Sequence, residues 1–514
     1  MKEQTNNKTI AKNTLFLYFR MMVTMVISLY TSRVILQILG VTDYGIYQAV
    51  GGIVGFLSFL NNALSTGSAR FLTYGLGEGD IYKLRRIFST TLSAHICLAI
   101  LIMILAEFGG MWFLYNKLVI PPERLEAAVL TFHLSIVTAF FNLTQVPYGA
   151  SIIAHEKMTI YAYVSIIEAI LKLAIVYMLA IGDIDKLELY ATLLCLLQVG
   201  IIIFYRIYCI RHFEETRFRF SIDRKIFREI AGFSGWSLFA NGAIALNSQG
   251  ILILLNMFFS PAVVAARAIS IQVNMHANQF VSNFQTAANP QIVKLYAAKD
   301  FEGSKQLLLQ TTRFSYYLML LLSLPICLVA EQLLHLWLGI VPEYTVIFLQ
   351  LIIIQSLFQV FDTSFYRALY AKGQLRENAL ISPTILFIEF PIVYFLFKFG
   401  YSPIALSWAS LVAYALIGLI IKPILIIRIA DYTRKDILSV LIPCIKVTIT
   451  SLPLPLIAYY SFNNLECIGL SFCIITIISV ISVLFSSWYL GMDKQIRRRV
   501  VSIISNKLKW QTKE

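Results

Sequence analysis

Charged side chains are scarce in this chain. Asp, Glu, Lys and Arg supply 14% of its 514 residues, against about 25% in a soluble domain. Cysteine chemistry is missing as well. Cys97, Cys195, Cys209, Cys327, Cys444, Cys467 and Cys473 lie within or at the ends of apolar stretches and form no CxxC pair and no Cys/His cluster, so neither a disulfide framework nor a zinc site is indicated. No phosphate-binding loop occurs: Gly51 and Gly55 are not followed by Lys-Ser/Thr, and His155-Glu156-Lys157 lacks the second His of a zinc helix. The connections are short. The longest outer one, about 107–125, offers only Glu107, Lys117, Glu123 and Arg124 as charged residues. A membrane enzyme needs acids, bases or metal ligands on such a segment, so catalytic residues, metals and cofactors are not expected.

What fills the chain is apolar sequence: 58% of residues are hydrophobic and the mean hydropathy is +0.74. A helix of about 20 apolar residues spans a bilayer, because only a helix or a closed barrel satisfies its own backbone in hydrocarbon. Fourteen such stretches are predicted, at about 13–39, 45–69, 86–106, 126–150, 160–181, 188–210, 230–258, 262–288, 306–329, 344–368, 376–398, 402–428, 437–460 and 466–490. The fold class is therefore an all-α polytopic membrane protein with 14 transmembrane helices. The first stretch is too long for a signal-peptide core and is expected to be retained.

The formal charge of +14 reads as topology and not as affinity for nucleic acid. Of the 42 Lys and Arg residues, 32 fall on the N-terminal tail, the C-terminal segment, or alternate connections together with the span ends that adjoin them. Only Lys117, Arg124, Lys186 and Lys398 fall on the opposite connections. That bias places both termini in the cytoplasm. The C-terminal basic segment could rest on the anionic inner leaflet, although ordinary positive-inside charge explains it equally well.

The two halves echo each other at an offset of about 220 residues. Asn289-Pro290-Gln291-Ile292 followed by Lys299-Asp300 matches Ala69-Arg70-Phe71-Leu72 followed by Gly79-Asp80. Thr311-Thr312 matches Thr90-Thr91, and Ala330-Glu331 with Trp337 matches Ala106-Glu107 with Trp112. Two six-helix lobes in a parallel pseudo-twofold repeat follow, with a substrate route expected between the halves. The expected division is an N-lobe at 1–212, a basic cytoplasmic linker at 213–229, a C-lobe at 230–430, an additional helix pair at 437–490 and a basic tail at 491–514.

The stretch Ser32-Arg33-Val34-Ile35-Leu36-Gln37-Ile38-Leu39-Gly40, then Asp43-Tyr44-Gly45-Ile46-Tyr47, Ala69-Arg70 and Gly79-Asp80 resembles the opening of Wzx-type polysaccharide (O-antigen) flippases. These belong to the multidrug/oligosaccharidyl-lipid/polysaccharide exporter superfamily. Ala288-Asn289-Pro290-Gln291-Ile292 resembles the corresponding place in that family's second lobe. The resemblance covers essentially the whole chain. It implies translocation of an undecaprenyl-pyrophosphate-linked oligosaccharide across a bacterial inner membrane. It also implies membrane lipids, polysaccharide polymerase and glycosyltransferases as partners.

Ionisable groups within spans are costly and usually face an interior. Arg20, Arg33 and Arg267 are candidate phosphate ligands in a cationic cavity, since Arg binds phosphate oxygens in pairs; for Arg20 and Arg33 the plainer alternative is snorkelling to a surface. Asn256, Gln272, Asn274 and Asn278 are candidate glycan contacts, because amides supply both donors and acceptors to sugar hydroxyls. The plainer alternative is polar glue between helices. His276 is expected in that amide network. Glu168 and Lys172, spaced i, i+4, are either a structural ion pair or a coupling site for Na+ or H+, and Asp362 and Glu389 are further candidates for coupling. A cation-coupled drug or metabolite exporter of the same fold is the rival reading, and a membrane enzyme a more distant one.

Overall fold

The computed structural model describes residues 2–56, 80–155, 157–179, 184–374, 376–463 and 467–493 with a few isolated positions. The side chains of 2–20 and 229–237 lie outside that description. The described residues form helices and no strand. Among the described residues, ten helices are long and apolar enough to cross a membrane, which makes this a multi-pass membrane protein.

The helices are α1 (Lys2–Phe56), α2 (Ile81–Leu105), α3 (Met111–Asn116), α4 (Leu125–Ala154), α5 (Met158–Met178), α6 (Lys186–His212), α7 (Arg224–Ala245), α8 (Ile251–Phe258) and α9 (Pro261–Ala297). They continue as α10 (Phe301–Leu328), α11 (Ala330–Leu338), α12 (Thr345–Lys372), α13 (Arg376–Lys398), α14 (Ile404–Leu416), α15 (Lys422–Ile429), α16 (Arg434–Ser451), α17 (Pro453–Phe462) and α18 (Ile468–Ser486). Most follow the predicted spans closely, because hydropathy is a local property. α1 breaks at Gly40, where φ is 77° and ψ is 171°, a backbone state that glycine alone enters without strain. This separates the first two predicted spans. Four stretches run on through single π turns, at Ala106–Gly110, Leu246–Gly250, Ile417–Ile421 and Ser487–Gly491.

Helix starts at polar boundaries are capped. Asp80 accepts from the backbone N–H of Tyr82 and Lys83 at 3.0 and 3.1 Å. Asp185 does the same for Leu187 and Glu188, and Thr433 and Asp436 form a reciprocal capping box. Each cap satisfies donors that the first turn leaves open.

The chain forms two compact units. Unit 1 comprises residues 1–268, 337–344 and 386–403; unit 2 comprises 269–336, 345–385 and 404–514. In unit 1, α4 packs on α6, α2 on α4 and α1 on α5. Phe88 meets Tyr148 edge to face at 5.2 Å, within a core that includes Leu84, Leu92, Ile152 and Cys209. Gly45 lies against the Pro261 carbonyl; a Cβ there would fall 1.9 Å from its oxygen, so only glycine fits. In unit 2, α10 packs on α12, and α16 and α18 pack on α10. Tyr316 stacks on Phe361 at 5.2 Å and hydrogen-bonds Thr448 at 2.9 Å, while the Tyr317 hydroxyl donates to the Gly491 carbonyl at 3.1 Å. In hydrocarbon such packing and hydrogen bonding hold helices together, because lipid tails are as apolar as the side chains.

The basic segment 213–229 is strapped along α2 in unit 1. Ser93, Thr90 and Ser89 accept from the backbone N–H groups of Ser221, Asp223 and Arg219 at 3.1, 3.1 and 3.5 Å. Arg86 pairs with Asp223, and His155 binds Glu215 at 2.8 Å while stacking on Phe213. Backbone N–H donors of Ile226 and Lys225, with Arg86, hold the Asp223 carboxyl below the ordinary carboxylate range.

Candidate functional site

Unit 1 encloses a cavity of about 400 Å³ between α1, α2, α4, α5 and α6. Its size falls in the range of small-molecule sites, roughly 300–1,000 Å³. Its wall is mixed: Val54, Ile102, Leu134 and Leu143 are apolar, while Tyr47, Ser135, Thr138, Asn142, Lys172 and Gln198 are polar. Gln198 donates to Asn142 at 3.2 Å, joining α4 to α6. Lys172 reaches the cavity and pairs with Glu168 at 2.6 Å, and both side chains are partly exposed. The pair predicted from its spacing is therefore formed on one face of α5, with its lysine at the cavity wall.

Other candidates are distributed between the units. Arg33 is half-buried on α1, and Arg267 is 3% exposed on the first turns of α9; both belong to unit 1. The side chain of Arg20 lies outside the described residues. Asn256 is buried, its Oδ1 accepting from the Val119 N–H at 3.1 Å and its Nδ2 donating to the Val119 carbonyl. Its amide thus holds the connection 117–121 to the end of α8. Gln272 is half-buried on α9.

Asn274 and Asn278 belong to unit 2 and lie together. Asn278 Nδ2 donates to Asn274 Oδ1 and to Ser356 Oγ, each at 3.0 Å, and Ser356 Oγ donates to Asn274 Oδ1 at 2.5 Å. One helical turn or two further along, Gln285 donates to Ser364 at 2.8 Å. These amides tie α9 to α12. The expectation for His276 is corrected: its ring nitrogens are buried with no hydrogen-bond partner among the described residues, so it stands outside the Asn274–Asn278–Ser356 group. On a helix it is two residues from each asparagine, and residues so spaced point to different faces.

Three arrangements were not legible in the sequence. Arg124 clasps Asp43 through Nε at 2.8 Å and Nη2 at 2.6 Å, and Asp185 through Nη1 at 2.5 Å. One guanidinium thereby fastens three connections of unit 1, and it holds the Asp185 carboxyl below its usual range. Arg206 bonds Thr144 and lies over the Phe141 and Tyr148 rings at 5.6 and 5.7 Å. In unit 2, Lys422 is 2% exposed and pairs with Asp362 at 2.7 Å. Lys422 and Asp362 are recognisable as intramembrane charges in the sequence, but they stand 60 positions apart, and no helical spacing links them.

No protein-family model and no curated protein matches this chain. Its fold is nevertheless shared with solved structures. A structure titled "Lipid II flippase MurJ, inward closed conformation" is similar with a TM-score of 0.70 at 13% identity, covering 92% of this chain and 97% of that one. An inward-facing multidrug resistance MATE family transporter of the MOP superfamily is similar at TM-score 0.64 and 13% identity, covering 80% and 98%. A MOP superfamily transporter from Pyrococcus furiosus, titled for the reverse polarity of its binding pocket, is similar at TM-score 0.58 and 14% identity, covering 82% and 96%. This chain has the fold of MOP superfamily transporters.

Proposed function

We propose that the chain is a flippase carrying undecaprenyl-pyrophosphate-linked oligosaccharide from the inner to the outer leaflet of a bacterial inner membrane, for surface polysaccharide synthesis. The observation that carries the reading is the likeness to a lipid II flippase over 92% of the chain, where two multidrug resistance MATE family transporters cover 80% and 82%. The Wzx-like residues around Ser32–Tyr47 add the glycan class. The topology proposed is fourteen crossings with both termini cytoplasmic, organised as lobes 1–212 and 230–430 with the further helix pair 437–490. Transport is by alternating access.

The chemical argument starts from the cargo. A pyrophosphate carries negative charge and a glycan many hydroxyls, and neither crosses hydrocarbon unshielded. Arg20, Arg33 and Arg267 are proposed to neutralise the phosphates through paired N–H donors. Gln272, Asn274 and Asn278 are proposed to exchange bonds with glycan hydroxyls. Asn256 is the least suited of the amides, since its side chain is already engaged by Val119. The lipid tail stays in the bilayer, and polymerase and glycosyltransferases act before and after the step.

In a deletion strain, lipid-linked glycan should accumulate facing the cytoplasm, and the wild-type chain should restore surface display. Arg20→Ala and Arg267→Ala should not restore it at normal protein levels; normal display by both variants rejects the cationic route. A second reading, cation-coupled export of small molecules, is favoured by one observation: the unit 1 cavity with Lys172, the partner of Glu168, at its wall. Resistance to toxic compounds on expression, without any effect on glycan display, would select it.

A further inference from the structure

Unit 2 holds a lysine where a free cation would be at home. Lys422 begins α15, straight after the π turn Ile417–Ile421. That turn inserts one residue into the helical register, and such bulges recur at functional sites because they re-aim the side chains beyond them. The same turn lies hard against α12: a Cβ on Gly418 would fall 2.4 Å from the Phe358 carbonyl oxygen, so glycine is required for this approach. The lysine is thereby brought between α12 and α13. Its Nζ sits 2.7 Å from Asp362 Oδ1, donates to Asn378 Oδ1, and lies 5.5 Å from the centroid of the Tyr366 ring. Asp362 and Tyr366 are spaced i, i+4 on α12 and so share a face.

The surroundings have the composition of a monovalent-cation cage: one carboxylate, one neutral amide oxygen and one aromatic face. A single carboxylate is too little for calcium or magnesium, which take six or more oxygens or keep their water. It balances one positive charge, and an aromatic face attracts a weakly hydrated cation. An ammonium with three N–H groups meets two oxygens here and turns its remaining side to the ring. Lys422 itself is 2% exposed, and Asp362 23%.

We infer that this cluster is a monovalent-cation site whose occupant is tethered: the Lys422 ammonium takes the place of a dissolved cation between Asp362, Asn378 and Tyr366. Unit 2 then carries its own counter-charge and takes up no cation here, so wild-type transport owes no Na+ requirement to this site. Removing the tether creates a vacancy that a small free cation fills. A merely structural ion pair behaves differently: loss of its lysine strands Asp362, and no dissolved cation restores the stability.

The test uses the purified full-length protein in detergent, with thermal unfolding as the readout and no glycan substrate, so its outcome is independent of the flippase reading. Wild type, Lys422→Ala, Lys422→Met and the double variant Lys422→Ala/Asp362→Asn are heated in methylammonium, ethylammonium, K+, Na+ or the bulky control choline, all as chlorides. Lys422→Ala should unfold several degrees below wild type. A small cation should recover at least half of that loss, saturably, while choline recovers none. The double variant and the wild type should not respond. Should Lys422→Ala yield no protein, Lys422→Gln, which keeps most of the volume, is assayed in the same way. The inference is overturned if Lys422→Met is as stable as wild type. It is also overturned if no small cation rescues the alanine or glutamine variant, or if rescue persists without Asp362.

Discussion

The two lysine–carboxylate pairs of this protein are chemically alike and physically opposite. Glu168 and Lys172 lie one turn apart on α5, the lysine at the wall of a cavity, with side chains 26% and 44% exposed. Asp362 and Lys422 come from α12 and α15, with Lys422 2% exposed. A pair whose lysine lines a cavity keeps part of its solvation from water in that cavity, so each charge gains less from its partner. A buried pair has lost that solvation, so removing one partner strands the other. Sequence spacing therefore revealed the pair of small consequence and hid the pair of large consequence. Dependence of transport on an ion gradient is expected to pass through the first; unit 2's integrity rests on the second.

The largest effect should come from Lys422→Ala, which leaves Asp362 without its ammonium: on the order of 3–5 kcal/mol of stability for breaking a buried pair from one side. Thermal melting in detergent measures it, and a loss below about 1 kcal/mol would erase the contrast. Arg124→Ala comes next. It frees Asp43 and Asp185 together and should loosen these connections of unit 1, visible as faster amide exchange in residues 40–44 and 184–187, with the rest of the unit unchanged. A pH series sharpens this. Asp185 has a folded-state pKa below its unfolded value, so its contribution is complete above the ordinary carboxylate range and fades as pH falls through the lowered value. Wild type should thus lose protection in these connections on acidification, and Arg124→Ala should lose less, since the Leu187 and Glu188 N–H donors still favour the Asp185 carboxylate.

Asn278→Ala removes bonds to Asn274 and Ser356 and should cost roughly 1 kcal/mol, the usual net worth of a side-chain hydrogen bond. A much larger loss of glycan display than of stability would point to a contact with cargo. Glu168→Gln should have the smallest effect on melting, below about 1 kcal/mol, yet it decides the coupling question. If wild-type transport responds to a Na+ or H+ gradient, the variant's should not; an unchanged response removes Glu168 from that role.

The helices were legible because hydropathy and caps are local. The break at Gly40 separates two predicted spans, and the helices from Leu125 to His212 begin and end within a few residues of expectation. What escaped is long-range or register-dependent. The strap 213–229 reads as a bare basic linker until Ser89, Thr90 and Ser93 on α2 are seen to hold its backbone. The π turn before Lys422 leaves no mark in hydropathy, yet it aims the side chain. Asn256 looked like one amide among many; its partner, Val119, lies 137 positions away. His276 was placed in the amide network by proximity in sequence, although its helical face is a different one. The residues proposed to meet cargo were named from type and depth alone, which is why Asn274 and Asn278 turned up paired with each other.

The most direct measurement is flipping itself. Purified chain reconstituted into liposomes with undecaprenyl-pyrophosphate-linked oligosaccharide should expose inner-leaflet glycan to an externally added glycosidase. The account predicts rapid and complete digestion with wild type, and digestion of only the outer-leaflet half with empty liposomes or with the Arg267→Ala chain. Digestion that stops at the outer half with wild type, in liposomes where the protein is folded and inserted, would contradict it.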